Sequence, residues 1–411
     1  MTTRYETETE HGRGLVLSWA SLIDDATREQ AERTSRSRVI AGHLALMPDC
    51  HFGMGATVGS VMRMKGGVIV AAIGVDIGCG ILAVRTDLAR GAISEKAGHR
   101  ILGLLRERIP SGVGQNHPAP TADAGAFFAK HGGIGRTQTT RNGKGDLNAI
   151  AAIQFGTLGS GNHFAEFSED GDGMVWLIVH SGSRALGMAI AESYCAQARD
   201  ICQRECLPVE HPDLAFLPEA SSERGWYLEE MFYAQRYAWA QREAMMARML
   251  ESLADEIPGW SEADRVHCHH NYAVDQGDGV LLTRKGAIAA GLDQRGTIPG
   301  SMGAATHIVK GLGNYDAYDS APHGAGRLMS RGQARRTLSL DEFRSQMAGR
   351  TWQDRDAGSL IDEAPGAYKP IETVMRDAAT LVETVAVLRQ FINYKGVDAG
   401  RYGRTKVSTD A

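Results

Sequence analysis

Apolar positions along the chain recur at two spacings. Short runs dense in β-branched and aliphatic residues, "HLALM" (43–47), "GVIVAAIGV" (67–75), "ILAVRT" (81–86), "MVWLIVH" (174–180) and "GVLLTR" (279–284), predict strands. Between them the period lengthens to that of a helix. "ISEKAGHRILGLLRERI" (93–109) places Ile101, Leu104 and Leu105 on one face, as an amphipathic helix requires. The spacing predicts further helices after Ser183, over 217–256 with a break near Gly225, and over 370–391 with Pro370 in the first turn. Residues 110–147, rich in Gly, Pro, Asn and Thr, predict a long loop excursion, a length usually tied to function. Strands and helices do not alternate regularly enough for a doubly wound sheet or a closed barrel. The pattern therefore predicts an α+β fold, one large domain of mixed β-sheets flanked by helices, without internal repeats.

Composition narrows the classes. The chain has 411 residues, of which 43% are hydrophobic and 23% charged. Its longest apolar stretch, at 67–75, falls far short of the ~20 residues of a membrane helix. The N-terminus "MTTRYETETEHGRG" has neither the basic start nor the apolar core of a signal peptide, so a cytoplasmic protein without membrane contact is expected. A net charge of −5 argues against binding nucleic acid through bulk charge. It leaves room for a local basic patch such as "GRLMSRGQARR" (326–336), with Arg327, Arg331, Arg335 and Arg336. The six cysteines form no CxxC pair, which excludes a zinc knuckle and a thioredoxin-type motif. Cys195, Cys202 and Cys206 share helical spacing and are expected to be packing.

The candidate chemistry lies where apolar runs end. His163 in "GTLGSGNHFAEF", His180 in "WLIVHSGSR", His269 and His270 in "VHCHHNYA", and His323 in "APHGAGRLMSR" each stand beside glycine, serine or asparagine. Histidines at the ends of several different runs point to one shared cleft. In "GVDIGCG" (74–80), Asp76 and Cys79 add a carboxylate and a thiol, with glycines that let a ligand approach the backbone. Asp, Cys and His together are the donors of a metal centre, and a thiolate can bridge two cations. Ligand softness favours zinc and leaves manganese and iron open. The glycines of "GMGATVGS" (53–60) fit no dinucleotide turn, and no phosphate loop with Gly-Lys-Ser/Thr is present. Backbone amides in "IPGSMG" (298–303) and "HGAG" (323–326) could still cradle phosphate.

Nine stretches in this order, "MPDCHFGMGATVGSV" (47–61), "GVDIGCG", "GTLGSGNHF" (156–164), "HSGSR" (180–184), "CHHNY" (268–272), "TRKGA" (283–287), "IPGSMG", "HGAGRLMSR" (323–331) and "YKG" (394–396), resemble the RtcB RNA ligases over about residues 40–396. The resemblance implies a ligase domain over 1–396 followed by a C-terminal tail, 397–411. It implies a GTP-dependent enzyme that joins RNA 3′-phosphate or 2′,3′-cyclic phosphate ends to 5′-hydroxyl ends, in tRNA splicing or RNA repair. Two manganese ions are implied, one held by Asp76, Cys79 and His163, the other by Cys79, His180 and His270. His323 is then the nucleophile that takes up GMP. The guanylate pocket maps onto Asn162, His163, Phe164, Ala165, Glu166, His270, Asn271, Pro299, Gly300, Ser301, Met302, Thr306, His323, Gly324, Ala325, Gly326 and Lys395. Some relatives work with the protein archease, a possible partner here. Arg184, Arg327 and Arg331 are candidates for RNA phosphate, and Asp49 and His51 for groups that orient Asp76 or His163. Thr306 where many members have serine, Pro322 before His323, and the tail beyond Gly396 are departures from the family pattern. Two other readings of the same residues are a two-metal phosphoesterase or nuclease with water as nucleophile, and a non-enzymatic RNA-binding protein on a ligase scaffold.

Overall fold

The computed structural model describes residues 2–9, 12–140, 143 and 145–397. Apart from Val397, the expected tail lies outside the described residues. The fold is α+β and is organised around two large sheets. A seven-stranded antiparallel sheet runs in the order Glu262–His269, Gly80–Ala89, Met174–Ser181, Phe164–Glu169, Val382–Lys395, Thr306–Gly311 and Arg295–Pro299. A six-stranded sheet runs in the order Thr3–Thr9, Gly12–Ser18, Ile40–His51, Val58–Met64, Leu281–Lys285 and Asn271–Asp275, with one parallel pair between Gly12–Ser18 and Ile40–His51.

The apolar run at 81–86 does not alternate because both faces of its strand are buried. Leu82 and Val84 pack with Leu177 and Val179 under the helices Glu95–Arg108 and Ser222–Glu256, whose Leu105, Met245 and Met249 close that face. Ile81 and Ala83 turn to the other side, against Trp176, Val266 and Ile308. A strand buried on both faces reads as a continuous apolar stretch.

Three expectations differ from the observed elements. The helix expected over 370–391 stops at Asp377, and residues from Val382 to Lys395 form a strand. Val382, Thr384, Val385 and Val387 are β-branched, and such side chains crowd a helix and suit a pleated strand. Pairing with strands on both sides settles the competition. The helix Ser222–Glu256 runs through Gly225 without a break, because one glycine costs only about 1 kcal/mol against the burial of a 35-residue helix. The 110–147 excursion contains the helix Ala122–His131, capped by the Thr121 side chain and anchored by Ala124 and Phe127.

The register of the large sheet positions the site. Gly80 pairs with Ser181 and with His269, and Phe164 pairs with His180 and with Lys395. Five strand ends from distant parts of the sequence therefore meet at one edge. No helix among the described residues is long and apolar enough to cross a membrane.

Candidate metal centre and nucleotide pocket

Cys79 stands just before its strand, His163 just before its own, His180 near the end of a third and His270 just past the end of a fourth, so all four project from the same edge. The loop carrying Asp76 is held by the Gly78 amide donating to the Asn271 carbonyl, 2.6 Å, and by the Cys79 carbonyl accepting from the His270 amide, 2.8 Å. Asp76 Oδ1 accepts from the Ser183 amide at 2.9 Å. Gly182 packs so closely on this carboxylate that a side chain there would displace it.

Two donor sets result, Asp76–Cys79–His163 and Cys79–His180–His270, with the ligand atoms of each set within 4.8 Å of one another and Cys79 Sγ in both. Nε2 of His163 lies 3.4 Å from Sγ and 2.9 Å from Asp76 Oδ2. Nε2 of His180 lies 3.3 Å from Sγ and 2.8 Å from Nε2 of His270. Nδ1 of His163 faces the Leu158 carbonyl at 3.0 Å and Nδ1 of His180 faces the Asn162 carbonyl at 3.1 Å. A proton on Nδ1 of His180 leaves its Nε2 lone pair aimed at the sulfur, the tautomer that metal-ligating histidines adopt. Burial, and then the charges of neighbouring histidines, hold the His180 and His270 imidazoles well below their usual range and hence neutral. Burial would raise the Asp76 carboxyl, but the hydrogen bond and charge of His163 prevail and bring it down to about 2. Burial, then the charge of Asp76, pushes the Cys79 thiol well up. Neutral imidazoles, a carboxylate and a shared sulfur converging in a buried space fit a pair of divalent cations.

Arg242 is fully buried under this edge. It donates to the Gly78 and Ser181 carbonyls, both at 2.8 Å, and to His267 Nε2 at 2.9 Å. Burial lowers its pKa to about 10, so it stays charged at neutral pH.

A cavity of about 720 Å³ opens over the centre. Asp76, Cys79, His180 and His270 line its floor. Asn162, Phe164, Glu166, Asn271 and Lys395 line it, as do the turn Pro299–Met302, Thr306 and the run His323–Gly326. His163 and Ala165 do not line it: His163 sits beneath with Asp76, and Ala165 faces the apolar core on the opposite side of its strand. Burial raises the Glu166 carboxyl to about 7, although Thr306 Oγ1 donates to it at 3.0 Å. Thr306 thus supplies the hydroxyl that a serine would. Lys395 Nζ pairs with Glu363 at 2.9 Å, both side chains buried.

His323 follows the short strand Ser320–Pro322, whose Pro322 pairs with Ala287. The amides of Gly286 and Ala287 donate to the His270 carbonyl, so the two histidines are tied and their rings lie 4.7 Å apart. Asp49, 0% exposed, accepts from the backbone amides of His323 at 2.9 Å and Gly324 at 3.1 Å, and its Oδ2 lies 2.6 Å from His323 Nδ1. Asp49 therefore serves His323, not Asp76 or His163 as expected from sequence. Lys369 fixes the segment around it by donating to the carbonyls of Leu22, Pro48 and Cys50 at 2.5, 3.0 and 2.7 Å. His51 lines the cavity on the same strand.

The arginines divide. Arg327 also lines the cavity but spends its donors on Met329, Asp362, Glu363 and Tyr368. Arg331 keeps a half-exposed side chain at the cavity wall, 3.8 Å from Asp362. Arg184 is half-buried beside Thr157 Oγ1, 3.3 Å away. Cys202 is buried packing, whereas Cys206 is exposed beyond its helix and Cys195 lines the cavity. Lys285, absent from the expected site, also lines it; it donates to the Met54 and Ala71 carbonyls and is pushed down to about 8 by burial.

A family model described as tRNA-splicing ligase RtcB matches residues 30–396. The chain is similar to the RNA-splicing ligase RtcB of Escherichia coli K12, 37% identical over 91% of this chain and 95% of that one. RtcB1 of a second Escherichia coli strain is 36% identical with the same coverage. The tRNA-splicing ligase RtcB of Thermococcus kodakarensis is 29% identical over 93% of this chain and 94% of its own length.

Proposed function

Because this chain belongs to the RtcB family and is an RNA ligase, we propose that it joins RNA 3′-phosphate or 2′,3′-cyclic phosphate ends to 5′-hydroxyl ends, using GTP and a histidine–GMP intermediate. The observation that carries this reading is His323: it stands in the same cavity as both donor sets, its ring next to His270 and its Nδ1 beside the buried Asp49.

A proton on Nδ1, facing the Asp49 carboxylate, leaves the Nε2 lone pair free. That nitrogen attacks the α-phosphorus of GTP, an N–P bond forms, and pyrophosphate departs with the electron pair of the broken P–O bond. An oxygen of the RNA 3′-phosphate then attacks the same phosphorus and the N–P electrons return to His323. Finally the 5′-hydroxyl attacks the 3′-phosphorus, loses its proton, and GMP leaves. Asp76, Cys79 and His163, with Cys79, His180 and His270, would hold two manganese ions, which supply positive charge to the entering and leaving phosphate oxygens.

The pocket supports guanine. An ionised Glu166 accepts from the ring N–H and amino group of guanine, while adenine presents an acceptor at the same ring position. Ser301, Ala325 and Gly326 line the cavity, and their peptide amides would cradle phosphate there. Lys395, paired to Glu363, borders the same space.

Incubation with manganese and α-labelled GTP tests the reading. Label that survives denaturation, resists alkali, is released by acid and is lost in His323→Ala supports it. A chain that joins defined RNA ends yet never carries label overturns the histidine–GMP step, and a hydrolase using the same donors shows neither joining nor label.

A further inference from the structure

A second concavity lies outside this cavity, between the helix Ala122–His131 and the middle of the helix Ser222–Glu256. It encloses about 540 Å³ and is lined by Lys130 and His131 from the first helix, Arg236 and Trp239 from the second, and His269 from the strand end. Among the described residues no carboxylate lines it, in a chain whose net charge is −5. Among the described residues neither Lys130 nor Arg236 has a carboxylate partner. Both cations lie near enough to His131 to depress its protonation, after the effect of burial.

Trp239 gives the groove a flat apolar surface. Its indole stacks on the His267 ring, centroids 3.4 Å apart and planes 22° apart, and His269 leans on it from 5.3 Å. Backed in this way, it is still 39% exposed. The groove adjoins the metal loop from behind: His269 Nδ1 lies 2.8 Å from the Gly78 carbonyl, and Gly78 packs on Ala238 and Gln235 of the long helix.

A supported, open aromatic face flanked by uncompensated cations is the arrangement that holds a nucleotide: the base stacks and the phosphates on either side meet positive charge. We propose that this groove seats one unpaired nucleotide of the RNA substrate, away from the ends being joined, with its base on Trp239 and its flanking phosphates at Lys130 and Arg236. The proposal rests on the ligase reading, since it needs an RNA strand that reaches both places. A peptide would leave the two cations without partners unless it were acidic, and an acidic peptide has no need of the indole.

Fluorescence anisotropy with a labelled single-stranded RNA ending in a 3′-hydroxyl, which cannot be joined, tests the groove on the full chain. Trp239→Ala should weaken binding roughly 5- to 150-fold, the loss expected for one base–aromatic stack, and Trp239→Phe should restore most of it. The double variant Lys130→Gln, Arg236→Gln alters only surface side chains and should lower the slope of log affinity against log salt by about 1.4, for two phosphate contacts to a single strand. GMP labelling should match wild type in every variant. Wild-type affinity and slope in the double variant overturn the groove, whatever Trp239→Ala does, and leave the ligase reading intact. Failure of the wild-type chain to take label or join RNA removes the ligase reading and the groove with it.

Discussion

Replacing Asp49 by asparagine isolates the role of a carboxylate that touches neither donor set. Oδ2 accepts from two backbone amides and lies 2.6 Å from His323 Nδ1. Asparagine keeps a carbonyl oxygen for the amides but lacks the charge. Hydrogen bonds to a charged acceptor contribute about 1.5–3 kcal/mol and neutral ones about 0.5–1.5, so the two amide bonds together lose about 2 kcal/mol. The chain should remain folded, with a lower denaturant midpoint. The loss at Nδ1 acts on the reaction instead. A carboxylate this close to Nδ1 steadies the developing imidazolium by its charge, and a contribution of about 1.5–3 kcal/mol predicts a roughly 10- to 150-fold slower appearance of GMP on the chain. The rate of label incorporation at saturating GTP and manganese is the measurement. Alanine provides the contrast: it leaves two buried amides unpaired, at about 1–3 kcal/mol each, and should show mainly in stability. Folded Asp49→Asn that labels within about twofold of wild type, a difference near 0.4 kcal/mol, would show that Asp49 merely supports the turn.

Glu166 yields a prediction in pH. Its folded pKa of about 7 lies above the ordinary carboxyl value of 4.5, so between those values the folded chain holds a proton that the unfolded chain has released. Stability from this group falls as pH rises from about 4.5 to 7 and the cost persists above, amounting to about 3 kcal/mol by linkage. Glu166→Gln should therefore gain on wild type as pH rises through that window in denaturant titrations, and a pH-independent difference refutes the assignment. Cys79→Ser should lose metal from both donor sets because Sγ is common to them, whereas His270→Ala should affect one set; metal analysis of the gel-filtered proteins distinguishes the two, and equal losses count against a shared ligand. Lys395→Met strips the buried Glu363 of its ammonium partner and should cost about 3 kcal/mol in the denaturant midpoint, as expected for breaking a buried pair. An unchanged midpoint would mean that Tyr368 and Arg327 suffice.

The donor residues were legible because their surroundings are local. Each follows or precedes an apolar run beside glycine, serine or asparagine, and the antiparallel register converts those run ends into one edge. Asp49 could be noticed but not placed: its partner is 274 residues away, and the contact depends on how Ile40–His51 packs against the turn after Pro322, which no spacing encodes. The helix expected at 370–391 fails for a different reason. Its helical period is genuine through Asp377, and the β-branched positions beyond it are decided by two neighbouring strands. The first two strands, Thr3–Thr9 and Gly12–Ser18, pass unnoticed because the outer one is largely solvated and its charged residues hide the alternation. Lys285 and Lys369 look like surface lysines in sequence, and only the tertiary carbonyls around them explain their burial.

Arg242 places a fixed guanidinium beneath the donor sets that fit divalent cations. Among the described residues no carboxylate pairs with it directly; its hydrogen-bond partners are carbonyls and imidazoles, and Glu243 reaches it only through the His267 ring. Its charge would oppose the arrival of divalent ions and partly offset the Asp76 carboxylate that attracts them, so that affinity would be lower than the same donors would give alone. With two divalent ions bound, the centre would carry an excess of positive charge that its own ligands do not cancel. Loose retention of cations and strong attraction for polyphosphate would then be two consequences of one residue. An enzyme built this way would exchange its ions readily in solution and hold them firmly once an anionic substrate has closed the charge balance.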